Sequence, residues 1–296
     1  MASRRFLVLF LCVFAVPLRV CGAAGGAIWD QNTMKPSEDK GRAGTYQRKT
    51  SHPGYNYYVN VPKSYSESNP AGIHIFFHGQ GSQGGAKSFW LWGEKFCEKH
   101  NLIGINMEYT DGDNSKDTAG KALAAEEAIA QTMADYKVIR GRGVISSFSG
   151  GGLVHGRIHS AYGGKNTLRF SWPFNHSAIY GSNFWRNAAG THPMSWFIGV
   201  GTEEWNMGMP TLGSSQPQRA QELYSEAARG ACPDVYFKVI KGKGHVIADE
   251  DVAASAECFA RSDVFLAPYI YAGDYEEREL APIVQLANMH EYAKAE

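Results

Sequence analysis

The sequence predicts a single α/β domain: a mostly parallel central sheet, helices on both faces and no large cap. Three observations carry this. Short runs of β-favouring residues alternate with segments of helical period, and a parallel sheet needs such crossovers because each strand must return to the same edge before the next begins. The 296 residues, 44% hydrophobic and 20% charged, suffice for a substantial core. The 33 glycines and 12% aromatic residues suit many tight turns and well-anchored loops.

The elements follow in order. Residues 25–54 are polar and weakly patterned and read as a lead-in arm to a domain over 55–296. "YNYYVNVP" (55–62) alternates like an edge strand and stops at Pro62. "GIHIFFHG" (72–79) and "LIGINMEY" (102–109) are apolar strands, and 84–100 between them has helical spacing. "TAGKALAAEEAIAQTMADY" (118–136), rich in Ala and Glu, is the clearest helix. A strand then ends at Ser149 and a helix runs on towards Tyr162. "HSAIYGSNF" (176–184), "SWFIGVGT" (195–202) and "DVYFKVIKG" (234–242) are further strands, with helices over 216–229 and 249–261. A last helical stretch, interrupted by Pro282, forms a C-terminal extension.

The N-terminus has Arg4 and Arg5, an apolar stretch from Phe6 to Leu18 and then small residues, the layout of a secretory signal peptide over 1–24. The stretch is shorter than the ~20 residues of a membrane span. The mature protein is therefore expected outside the cytoplasm, extracellular or periplasmic. Lys plus Arg equals Asp plus Glu at 29 each, so no net field draws nucleic acid or an anionic membrane. Cys97, Cys232 and Cys258 remain after the signal; their spacing does not suit zinc, and no cofactor motif is present. Chain reversal at the turn near His245 brings Cys232 and Cys258 towards one edge of the sheet. They are the expected disulfide, with Cys97 a buried free thiol.

The chemistry gathers where strands end. "SFSGG" (147–151) is one letter from G-x-S-x-G, a strand–turn–helix corner that holds a serine hydroxyl clear of the sheet. Small residues are needed on either side because strand and helix nearly touch there. Ligand sites of parallel sheets form at the carboxyl ends of strands. Beyond three of these ends lie "QGSQGG" (80–85), "EEWN" with Glu203 and Glu204, and "KGH" with His245. Serine, acid, histidine, each after a different strand, is the chain order of a hydrolase triad.

On "FFHGQG" (76–81), "SFSGG" (147–151), "GTEEW" (201–205) and "KGKGH" (241–245), the chain resembles the α/β-hydrolases. It is most similar to secreted esterases of the polyhydroxybutyrate depolymerase, feruloyl esterase and dienelactone hydrolase group. The resemblance spans roughly residues 55–262. It implies a carboxylic ester hydrolase acting on a small-molecule or polymer-linked ester, without metal or cofactor. Ser149 would be the nucleophile and His245 the base that takes its proton near neutral pH. The family's acid position falls on Glu204, with Glu203 an adjacent rival; a carboxylate there orients and stabilises the imidazolium. The backbone N–H groups of Gly150 and Gln80 would receive the oxyanion. His78 reads as a buried histidine bonded to nearby backbone, and Asp111 and Asp113 as turn residues.

Trp185 and Trp205 lie just beyond two strand ends and could flank the acyl group, although tryptophan is more often core than ligand. Only "WRNAAGTHPM" separates the strands around Phe184 and Ser195, so the site is expected to be lidless, suiting compact acyl groups over long chains. Two other functions fit the same chain: a serine peptidase of related fold, and a binding module on a decayed hydrolase scaffold. The first usually adds a propeller or cap; the second would usually have lost a triad member.

Overall fold

A computed structural model describes residues 34–81, 85–109, 112–113, 116–162, 176–180, 195–203 and 234–270. The strands are β1 (Gly44–Lys49), β2 (Tyr55–Val61), β3 (Ala71–Phe77), β4 (Leu102–Tyr109), β5 (Val138–Phe148), β6 (His176–Tyr180), β7 (Ser195–Gly201) and β8 (Asp234–Ile240). They form one sheet in the order β1-β2-β4-β3-β5-β6-β7-β8. β2 runs antiparallel to both neighbours, and every pair from β4 to β8 is parallel. The helices are α1 (Gly85–His100), α2 (Thr118–Asp135), α3 (Gly152–Tyr162) and α4 (Asp249–Ile270).

Period-two alternation divides the interior into two layers. Ile73, Ile75 and Phe77 of β3, with Ile103 and Ile105 of β4, pack with the alanines of α2 and with Val154 and Ile158 of α3. On the other face Leu102 and Val144 meet Phe96 of α1 and Phe259 of α4. β3 is buried along its whole length, as a central strand covered on both faces must be. The five buried alanines of α2, Ala122, Ala124, Ala125, Ala128 and Ala130, leave the helix able to approach the sheet closely. Among the described residues no inserted cap interrupts the succession of strands and helices, and no helix is long and apolar enough to cross a membrane.

Two features differ from the sequence reading. The lead-in arm carries β1, so Tyr55–Val61 is the second strand and not the edge. Only Tyr46 of the six β1 residues is buried, which is why no apolar pattern announced it. The arm is fixed by polar contacts instead. Arg48 pairs with buried Asp135 at 2.6 Å, and the Ser37 hydroxyl donates to the same carboxylate at 2.8 Å. Tyr46 and Tyr136 hydroxyls meet in a short hydrogen bond, and Tyr136 donates to the Arg42 carbonyl at 2.7 Å. Finally, α4 continues nine residues beyond its expected end at Arg261, to Ile270, through the polar pair Ser262–Asp263. The expected helix 216–229, the signal peptide and the C-terminal extension lie outside the described residues.

Candidate active site

Among the described residues three other than glycine have a left-handed backbone, Asn101, Asp117 and Ser149, and of these Ser149 alone stands between the end of a strand and the start of a helix. β5 ends at Phe148, a three-residue 3-10 turn covers Ser149–Gly151, and α3 starts at Gly152. Ser149 has φ of 49°, in the left-handed region that a side chain ordinarily avoids. Such a conformation persists only where the surroundings enforce it, and it concentrates at functional sites. Here the enforcement is visible. A Cβ on Gly151 would lie 2.3 Å from the Phe77 carbonyl oxygen and 2.6 Å from that of His78. Only a residue without a side chain lets the turn after β5 pass so close to the end of β3.

That approach brings the β3 loop to the serine. A Cβ on Gly79 would stand 3.3 Å from the Ser149 Cβ and 3.0 Å from the Phe148 ring. Gln80, the expected oxyanion donor of this loop, follows at once. Its side-chain amide donates to Asp113 at 2.7 Å, and the Gly81 N–H to the Gly112 carbonyl at 2.7 Å. Asp113 belongs to a segment gathered around buried Lys121, whose ammonium donates to the Asp113 and Lys116 carbonyls at 2.6 and 2.7 Å. Lys121 also lies 5.5 and 5.2 Å from the ring centres of Tyr55 and Tyr109. Asp113 is thus a turn residue, as expected, that also braces the β3 loop. His78 is fully buried with Nδ1 2.8 Å from the Gly79 carbonyl oxygen, in keeping with its reading as a structural residue.

His245 reaches the same corner from far along the sheet. β8 stands three places from β5, about 14 Å at the usual strand spacing. Yet the His245 ring packs on Phe148, the residue before the serine, with ring centres 4.7 Å apart and planes inclined by 31°. The loop after β8 therefore folds back across the carboxyl edge. It is stitched to the loop after β7: Thr202 N–H donates to the Ile240 carbonyl at 3.1 Å, Gly242 N–H to the Thr202 hydroxyl at 2.8 Å, and Glu203 N–H to the Lys243 carbonyl at 2.9 Å. Glu203 is exposed at the head of this seam, and its backbone partner Lys243 stands two residues before His245. Glu204, Trp185 and Trp205 lie outside the described residues. Serine corner, β3 loop and histidine loop are thus brought together, and Thr202 and Glu203 join the histidine loop.

Ser147, which stands where the motif usually has glycine, is buried with its hydroxyl 2.8 Å from His155 Nδ1 on α3. The departure from the motif fastens strand to helix just before the corner. Phe148 and His155 were not singled out from the sequence; Asp113 was read there only as a turn residue, and Ser147 only as a polar letter in a glycine position. Cys97 is a buried free thiol, as expected, with Sγ 3.4 Å from His74 Nδ1; burial raises its pKa. Cys258 is buried, and its expected partner Cys232 lies outside the described residues. Among the described residues no group of side chains is placed to hold a metal ion.

No protein-family model matches the sequence, and no curated protein matches it. Solved structures do. Thermogutta terrifontis esterase 2 phosphoramylated by tabun superposes with TM-score 0.53 at 14% identity, covering 78% of this chain and 97% of that one. The same esterase with propionate bound gives 0.52 at 14%, covering 80% and 98%, and phosphorylated by paraoxon 0.51 at 15%, covering 78% and 96%. The chain has their α/β fold. At this identity the likeness is one of architecture, and it runs over nearly the whole of the esterase.

Proposed function

We propose that this chain is an exported serine hydrolase that cleaves carboxylic esters through an acyl-enzyme on Ser149. The observation that carries the reading is the corner itself: a non-glycine residue at φ 49° between β5 and α3, with the histidine loop packed on its neighbour. The Ser149 hydroxyl attacks the ester carbonyl while His245 takes its proton. The oxyanion forms against the N–H groups of Gly150 and Gln80. As the C–O bond breaks, His245 returns the proton to the leaving alkoxide; water then repeats the sequence on the acyl-enzyme. Glu204 is the acid that orients the imidazole, with Glu203 its rival. Support comes from the four motifs in order, and from structural neighbours that are esterases described with paraoxon, tabun or propionate.

Within that class the motifs favour the depolymerase, feruloyl esterase and dienelactone hydrolase group, and compact acyl groups flanked by Trp185 and Trp205. Residues 1–24 are proposed to direct export, with Cys232 and Cys258 bonded in the mature protein. The test is reaction of the exported protein with a fluorophosphonate probe and mapping of the adduct. Labelling on Ser149 alone, abolished in His245→Ala, is expected. Binding of an ester without labelling would leave a non-catalytic module on this scaffold. Faster cleavage of p-nitrophenyl palmitate than of the acetate would overturn the compact, lidless pocket.

A further inference from the structure

His245 rides on the loop 241–248, and that loop is fastened at its middle. Lys243, two residues before the histidine, turns its side chain inward to Asp251 in the first turn of α4. Nζ lies 2.6 Å from Oδ2, with the two side chains 4% and 0% exposed. The same Asp251 oxygen accepts the Ala248 N–H at 2.9 Å, and the Asp251 N–H donates to the Ala248 carbonyl at 3.0 Å. The Lys243 carbonyl accepts from Glu203. One residue therefore joins the loop after β7, the loop after β8 and helix α4.

The sheet is shaped for this pair. A Cβ on Gly199 would fall 2.2 Å from Asp251 Oδ1, and one on Gly201 2.1 Å from the Lys243 carbonyl oxygen. These are alternate residues of β7, hence on one face, and both must lack a side chain for the ion pair and its loop to sit down. A buried ion pair is a poor device for stability alone, since apolar residues of similar volume often serve as well. What it adds is direction: a charge-assisted bond of fixed length at a fixed place. We propose that the Lys243–Asp251 pair positions His245, setting the height of the imidazole over Ser149. The inference rests on the hydrolase reading above. Neither residue touches reacting atoms; both are positioning residues.

The experiment compares fluorophosphonate labelling of Ser149, kcat and KM for p-nitrophenyl acetate, and the thermal midpoint. The proteins are the wild type, the double variant Lys243→Met with Asp251→Leu, and Gly199→Ala. The double variant keeps the volume buried without leaving a lone charge, and so should stay folded. Gly199→Ala moves the carboxylate and leaves both charges in place. Labelling rate and kcat per folded molecule should fall at least about tenfold in the double variant and less in Gly199→Ala, with KM unchanged, because small displacements of a base are costly to the chemical step. A lower midpoint with wild-type kcat would assign the pair to stability alone and end the proposal. Should the double variant not fold, wild-type labelling in Gly199→Ala has the same force. Absence of labelling in the wild type would instead remove the hydrolase reading, leaving the pair nothing to position.

Discussion

Among the described residues, two buried serine–histidine pairs lie on β5 just before the corner at Ser149, and they differ from Ser149 and His245 in burial and in backbone. Ser147 Oγ lies 2.8 Å from His155 Nδ1, and Ser146 Oγ 2.5 Å from His74 Nε2. They point to opposite faces of β5, as adjacent strand residues must. Both pairs are buried, and burial lowers both histidines to a pKa of about 3. An imidazole so poor at holding a proton cannot serve as a base near neutral pH, and no substrate could reach it. Ser149, two residues further on, lies half-buried at the end of the sheet with a left-handed backbone, and His245, also half-buried, packs from a loop on the ring of Phe148, the residue before it. A serine near a histidine does not by itself make a site. What sets Ser149 apart is a left-handed corner at a strand's carboxyl end, half-buried where the interior pairs are fully buried.

Substitution should separate the two kinds of pair most sharply in activity. Ser149→Ala and His245→Ala should each lower kcat by about a thousandfold or more, while Ser147→Ala and Ser146→Ala leave it within about tenfold. Glu204→Gln should cost more than Glu203→Gln. Comparable losses at Ser147 and Ser149, read as kcat on p-nitrophenyl acetate, would erase the distinction.

The buried pairs should reveal themselves in the pH dependence of stability. His74 and His155 bind a proton at about 6.5 when unfolded but at about 3 when folded. Between those values the unfolded chain holds more protons, so stability is fully present above 6.5 and is lost as pH falls towards 3. The slope is about 1.4 kcal/mol per pH unit for each histidine. Glu126 on α2 has the opposite sense. Burial raises its carboxyl to about 8, so its contribution weakens as pH rises from 4.5 to 8. Urea midpoints should therefore peak near pH 6 to 7. His155→Leu should flatten the acid limb and Glu126→Gln the alkaline one. Midpoints independent of pH from 4 to 8 would contradict both assignments.

What the sequence disclosed follows from where the information lay. Strands with apolar runs, such as β3 and β4, were legible because burial on both faces demands such runs. β1 was not, since its single buried residue and its ties through Arg48 and Asp135 leave no periodic trace. At the site, chain order gave serine, acid and histidine. The supporting residues escaped because their roles are set by contacts between separate elements and loops: Phe148 against His245, Asp113 against Gln80, Lys243 against Asp251. No local pattern records a partner 97 residues away.

A smaller effect concerns what the interior pairs contribute. Ser147→Ala removes a buried partner of His155, and leaving a polar atom unmatched costs about 1–3 kcal/mol. Ser146→Ala should cost a similar amount at His74. Replacing Ser147 together with His155→Leu should recover much of the loss, since an apolar pair leaves nothing unsatisfied. Denaturant midpoints would show it. A double variant less stable than the sum of the singles would mean the pair fills space more than it satisfies hydrogen bonds.

The smallest effect tests the corner itself. If Ser149 is held at φ 49° by its surroundings, its side chain costs stability wherever activity is not at stake. Ser149→Ala keeps a Cβ and hence the strain, whereas Ser149→Gly removes it, because glycine enters the left-handed region freely. Glycine also loses more chain entropy on folding, by about 0.5–1 kcal/mol, which opposes the gain. The left-handed penalty for a side chain is about 1–2 kcal/mol, so the balance still favours glycine. Ser149→Gly should therefore be more stable than Ser149→Ala by about 0.5–1 kcal/mol, both being inactive. At an ordinary strand position the sign is reversed, and the same exchange at Ser146 or Ser147 provides that control. Glycine stabilising at 149 and destabilising at 146 would mark the serine as the strained member of the set; alanine more stable at all three would mean the corner carries no strain.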